Sequence, residues 1–133
     1  MEFIAPRVPK EKGLLMGAMA TATCDCGYSR DLWLGGGMTN FETMCLFPIY
    51  CRGCRTLQQA NLLDSPVLCP GCGGSDVLPY DAPELIGETG VGRVFNWNLG
   101  KRSRRVLTLS DGRYLCPACQ QTQLRFKATG CWD

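Results

Sequence analysis

Ten cysteines and no histidine define the chemistry open to this chain of 133 residues. Eight of the cysteines fall in close pairs: Cys24 with Cys26, Cys51 with Cys54, Cys69 with Cys72, and Cys116 with Cys119. A tight turn between paired cysteines aims both sulfurs at one point, and glycine in the turn lets backbone amides face the thiolates. Zinc prefers four soft ligands in a tetrahedron, so two such knuckles close a complete site. Cys51 and Cys54, separated by fourteen residues from Cys69 and Cys72, form the first predicted site. The Cys116/Cys119 knuckle needs a mate, and Cys24/Cys26, followed by Gly27, is the natural one. Two zinc ions per chain are therefore expected, each held by thiolates alone. Cys45, beside Leu46 and Phe47, reads as a small buried apolar residue. Cys131 is left over, and would complete the second site if Cys24 or Cys26 did not belong to it.

Two other cysteine chemistries compete. A thioredoxin-like redox motif opens a helix after a strand in a βαβ setting, whereas these pairs sit in strand-rich segments without that alternation. An iron site carrying electrons needs the same four sulfurs, and spacing separates iron from zinc poorly. The two-site arrangement favours zinc. In a cytoplasmic setting disulfides are disfavoured and paired cysteines become metal ligands.

The segment Cys69-Pro70-Gly71-Cys72-Gly73 resembles the knuckle of the rubredoxin and zinc-ribbon families, over about residues 50–80. That resemblance implies a zinc-ribbon fold for this quarter of the chain and, for function, a binding module that engages protein or nucleic acid. It also supplies the main alternative, a rubredoxin-type electron-transfer protein. The first knuckle departs from the family pattern, with Arg55 where glycine is often found.

The elements that must position these sulfurs are short strands. Sixteen glycines and eight prolines, with normal apolar content, indicate a loop-rich globular domain. Small domains of this kind carry metals where core is scarce. Phe95, Trp97 and Leu99 alternate with Val94, Asn96 and Asn98, a period of two. Leu124 and Phe126 alternate with Gln123, Arg125 and Lys127 in the same way. Ser110-Asp111-Gly112 predicts a hairpin turn between "RVLTL" and "RYLC". Gly35-Gly36-Gly37 reads as a turn, residues 81–92 as connecting loop with one helical turn at most, and "TLQQANLL" (56–63) as the one candidate short helix. The expected fold class is small β, hairpin-rich. An inner ribbon (43–81) is nested within a discontinuous outer one (23–42 plus 92–133), and residues 1–22 form a flexible extension rather than a cleaved signal. No segment has the ~20 apolar residues of a membrane span.

Charge is uneven. Residues 93–127 carry eight basic side chains against Asp111, whereas residues 1–92 carry six basic and ten acidic. The segment "FNWNLGKRSRR" concentrates Lys101, Arg102, Arg104 and Arg105 after two aromatics, a candidate nucleic-acid contact through phosphates. Phe95 and Trp97 themselves are expected in the core. Without histidine, a phosphate-cradling glycine loop or a framed carboxylate pair, no catalytic constellation is evident, and neither an enzymatic role nor a small-molecule substrate is expected.

Overall fold

The computed structural model describes residues 17–36, 44–98 and 106–132. The basic residues 101–105, the expected extension up to residue 16, and Gly37 lie outside these. Among the described residues the fold is a small, nearly all-β domain of ten antiparallel strands with a single 3-10 turn, Pro83–Leu85. None of its helices is long and apolar enough to cross a membrane.

Two three-stranded sheets carry the metal-ligand candidates. The first joins β1 (Gly17–Thr23), β2 (Ser29–Leu34) and β10 (Arg125–Trp132), with β1 in the centre. The second joins β3 (Leu46–Cys51), β4 (Thr56–Asn61) and β5 (Val77–Pro79), with β3 in the centre. An antiparallel bridge between Gly35 and Leu46 ties one sheet to the other. Two further ribbons complete the fold: β6 (Ile86–Glu88) with β9 (Arg113–Tyr114), and β7 (Arg93–Asn98) with β8 (Val106–Ser110).

The period-two patterns do what alternation requires. In β7, Phe95 and Trp97 are buried while Asn96 is exposed; Leu124 and Phe126 are buried between exposed Arg125 and Lys127. These residues meet Leu32, Leu34, Phe47, Leu107 and Leu109 in one core. Phe95 stacks on Trp97 with ring centroids 6.0 Å apart. A second aromatic group lies between the two large sheets. Tyr80 packs edge-on against Phe126 at 5.6 Å and Tyr50 at 6.4 Å, and Tyr114 packs against Phe126 at 5.0 Å. Buried Tyr80 donates its hydroxyl to the Leu115 carbonyl at 2.8 Å, which satisfies its polar tip inside the core.

Three expectations are corrected. Residues 17–22 are no extension: they form most of β1, where Ala20 and Ala22 are fully buried against both neighbours. Small residues suit a strand flanked on each side, and their low side-chain bulk hid it. Residues 56–61 are strand β4, not helix. Leu57 and Ala60, three apart, fit a helical face, and on the strand they point to opposite faces. Pairing with β3 from Thr56↔Cys51 to Asn61↔Leu46 supplies the backbone bonds and decides for strand. Ser110-Asp111-Gly112 does not join a β8–β9 hairpin, because β8 pairs with β7 and β9 with β6. The turn instead clasps the 89–92 loop: Asp111 accepts from the Gly92 amide at 3.0 Å and donates its own amide to the Gly92 carbonyl at 3.0 Å. Gly112 is needed there for close approach, since a Cβ would stand 2.0 Å from the Glu88 carbonyl oxygen.

Candidate metal centres

The cysteine pairs sit in loops between strands, with Cys51 the last residue of β3. Cys51 closes β3 and Cys54 precedes β4, so the first knuckle is the β3–β4 hairpin loop. Cys69 and Cys72 precede β5, the other neighbour of β3. Cys24 and Cys26 occupy the β1–β2 loop. Cys116 and Cys119 lie in the loop closed by the Tyr114–Leu124 bridge. Central strands β1 and β3 thus each deliver one knuckle, and the sheets hold them at fixed register.

The fold brings together the two quartets expected from spacing. The sulfurs of Cys24, Cys26, Cys116 and Cys119 lie within 4.8 Å of one another, as do those of Cys51, Cys54, Cys69 and Cys72. Individual separations are 3.7 Å for Cys24–Cys119 and for Cys26–Cys116, 3.6 Å for Cys51–Cys72 and 3.7 Å for Cys54–Cys69. A regular tetrahedron with Zn–S bonds of about 2.3 Å has edges of about 3.8 Å. A disulfide would put sulfurs at about 2.05 Å, and all ten cysteines are free. The donor sets therefore fit a tetrahedral thiophilic cation.

Backbone amides and a hydroxyl face three sulfurs of the first quartet and favour thiolate there. At Cys72, however, the Gly74 amide is outweighed by the neighbouring Cys51 and Cys69 sulfurs, which push its thiol up to about 11. Gly71 and Gly74 donate backbone N–H to the sulfurs of Cys69 and Cys72 at 3.3 and 3.4 Å. The Thr56 hydroxyl lies 3.0 Å from the Cys54 sulfur and accepts from the Gln58 amide at 3.1 Å, which leaves its proton for the sulfur. Burial opposes ionisation of Cys69, but the amides of Cys72 and Gly71 outweigh it and bring the thiol down to about 7. Burial pushes Cys24 up to about 12, whereas the Tyr28 amide lowers Cys26. Four ionised sulfurs at such separations repel one another, and a bound cation removes the conflict. Metal affinity then adds directly to folding free energy.

Each knuckle ends on a residue in the left-handed region: Gly27 (φ 102°), Arg55 (φ 55°), Gly73 (φ 75°) and Gln120 (φ 62°). In three of them that residue or its equivalent returns an amide to the first cysteine's carbonyl: Gly27 to Cys24 at 3.0 Å, Gly73 to Cys69 at 2.8 Å, Gln120 to Cys116 at 3.0 Å. Glycine adopts this conformation freely, while other residues lose about 1–2 kcal/mol. Arg55 and Gln120 therefore stand in positions that suit glycine. The sequence marks Arg55 through its departure from the family knuckle, but nothing marks Gln120, Thr56 or Gln58.

The remaining cysteines separate cleanly. Cys45 is fully buried and burial pushes its thiol up to about 12, in keeping with a core role. Cys131 lies on β10 opposite Ala18, exposed and outside both quartets, so it does not complete the second site. Exposed Arg125 binds Asp25 at 2.8 Å and ties the Cys24/Cys26 knuckle to β10. Comparison of the chain with protein-family models, curated proteins and solved structures finds no match.

Proposed function

We propose that the protein is a zinc-stabilised, zinc-ribbon-like interaction module of the cytoplasm, with two structural zinc ions and a protein or nucleic-acid partner. The observation that carries this reading is the pair of four-sulfur quartets, in each of which two sulfur pairs stand 3.6–3.7 Å apart, as in a zinc–thiolate tetrahedron. A quartet of thiolates leaves no coordination position for water or substrate, so the reading gives the metal no catalytic part. The quartets clamp strand ends in a domain whose core is shared among four small sheets, where metal binding supplies stability that packing alone lacks.

Native mass spectrometry of chain produced in the cytosol tests the metal content. Two zinc ions are expected, with one lost in Cys54→Ser and the other in Cys26→Ser. A red protein with iron–thiolate absorption would establish the electron-transfer alternative instead, and five disulfides with no metal would refute both. Affinity capture from native lysate, with and without nuclease, then separates a protein partner from a nucleic-acid one.

A further inference from the structure

Arg55 occupies a backbone conformation that suits glycine, with φ 55°, yet among the described residues no hydrogen bond or ion pair of its side chain explains its presence. Gln120, in the equivalent position, has such bonds: it accepts from the Tyr50 hydroxyl at 3.3 Å and donates to the Pro117 carbonyl at 2.9 Å. Arg55 is exposed and has no ion pair or side-chain hydrogen bond among the described residues. A strained residue without an internal partner among the described residues points to an external one.

Its surroundings identify the chemistry. Arg55 lines a cleft of about 310 Å³ between the two metal-centre candidates, together with Tyr28, Arg30, Gln58, Pro117 and Ala118. Tyr28 and Arg30 follow one knuckle, Arg55 follows another, and Pro117 and Ala118 lie within a third, so loops of both centres wall the cleft. Arg30 is half-buried and anchored through Nη1 to the Leu57 carbonyl, which leaves further guanidinium donors for a ligand. Among the described residues no carboxylate lines the cleft. Neighbouring acids are engaged elsewhere: Asp25 with Arg125, Asp76 with Arg52, and Asp31 with the Thr21 hydroxyl. The walls therefore combine two guanidinium groups, an aromatic ring, an amide and a flat apolar shelf.

We propose that this cleft binds one nucleotide unit of single-stranded nucleic acid. A phosphate is held by Arg30 and Arg55, and the base lies against Tyr28 and the Pro117–Ala118 shelf with its edge toward Gln58. Guanidinium forks match phosphate, and aromatic platforms accept any base face. An acidic peptide would use the arginines but leave the ring, shelf and amide without a role. The proposal rests on the interaction-module reading and places its contact surface between the knuckles rather than in the basic segment 101–105.

The test uses the full chain loaded with two zinc ions. Fluorescence anisotropy follows a labelled oligouridine of about a dozen nucleotides at low salt, with uridine monophosphate and polyglutamate as competitors. Arg55→Gly should weaken binding severalfold and make the log–log salt slope shallower by about 0.7, the value for one phosphate contact on a single strand. The same variant should keep both zinc ions and melt no lower than the parent, because glycine relieves the φ at this position. Tyr28→Leu should weaken binding roughly tenfold and leave the salt slope unchanged. Equal affinity and slope in Arg55→Gly would overturn the proposal, as would an absence of binding by the zinc-loaded parent. Competition by polyglutamate as strong as by unlabelled oligouridine would assign the cleft to an acidic peptide and overturn it. Competition by the mononucleotide at equal strength would overturn the single-strand assignment. Loss of zinc from the parent, by contrast, counts against the structural-zinc reading and is scored separately by mass spectrometry.

Discussion

Replacing Gly35 by alanine tests how the two large sheets are joined. Gly35 bridges to Leu46, donating its amide at 2.7 Å and accepting from the Leu46 amide at 2.9 Å. Its φ is +78°, and a Cβ would stand 2.7 Å from the Trp97 ring. Two penalties follow. The left-handed conformation costs alanine about 1–2 kcal/mol relative to glycine. Forcing a methyl group against a buried indole adds about 1–3 kcal/mol of overpacking, because Trp97 is only 7% exposed and stacks on Phe95. The expected loss is therefore about 2–5 kcal/mol, and for a domain of this size a melting temperature lower by roughly 10 °C or more. Urea midpoints and calorimetry at one fixed free-zinc concentration measure it, since bound metal shifts stability by mass action. Trp97→Leu removes the ring, so the steric part should vanish in the double variant while the backbone part remains. The cycle should return a coupling of about 1–3 kcal/mol. A Gly35→Ala loss below about 0.5 kcal/mol, or strict additivity with Trp97→Leu, would refute the account.

Cys45→Ala should retain two metals and lose about 1–3 kcal/mol, and the Cys45 thiol should resist alkylation until the chain unfolds; loss of a metal would show that the ligands are wrongly paired. A chain starting at Ala20 loses Gly17–Met19, which pair with Trp132–Gly130 on one side and, through Ala18 and Met19, with Leu34 and Trp33 on the other. Its melting temperature should fall by several degrees, and an unchanged value would show that this end of β1 contributes nothing. Tyr80→Phe preserves the ring but leaves the Leu115 carbonyl without its 2.8 Å partner, a loss of about 1–3 kcal/mol with both metals retained. Equal stability in that variant would mean that the carbonyl finds another donor.

What the chain reveals without its structure is governed by local rules. A Cys-x-x-Cys turn can converge only on a point a few ångströms away, so the knuckles and their chemistry are legible from spacing. Alternation in Phe95–Trp97 and Leu124–Phe126 likewise reads out directly, because a strand buries every second side chain. The expected pairing of Cys24/Cys26 with Cys116/Cys119 reached across 89 intervening residues. It rested on elimination among knuckles, and the fold brings those four sulfurs together.

Tertiary contact decided the rest. The mostly small residues Ala18–Ala22 (Ala-Met-Ala-Thr-Ala) bury little side-chain bulk, and β1 became a central strand only because β2 and β10 flank it on both sides. Leu57 and Ala60 have the spacing of a helical face, and the segment became strand only because β3 offered its backbone donors and acceptors. Asp111 and Gly112 have turn chemistry, but the strands on either side of that turn pair with β7 and β6 rather than with each other. The cleft of Arg30 and Arg55 has no sequence signature at all, because it is a space between three knuckles that meet only in the fold. Short-range geometry is written into residue types and intervals, whereas the choice among locally equivalent conformations belongs to non-local hydrogen bonds and burial.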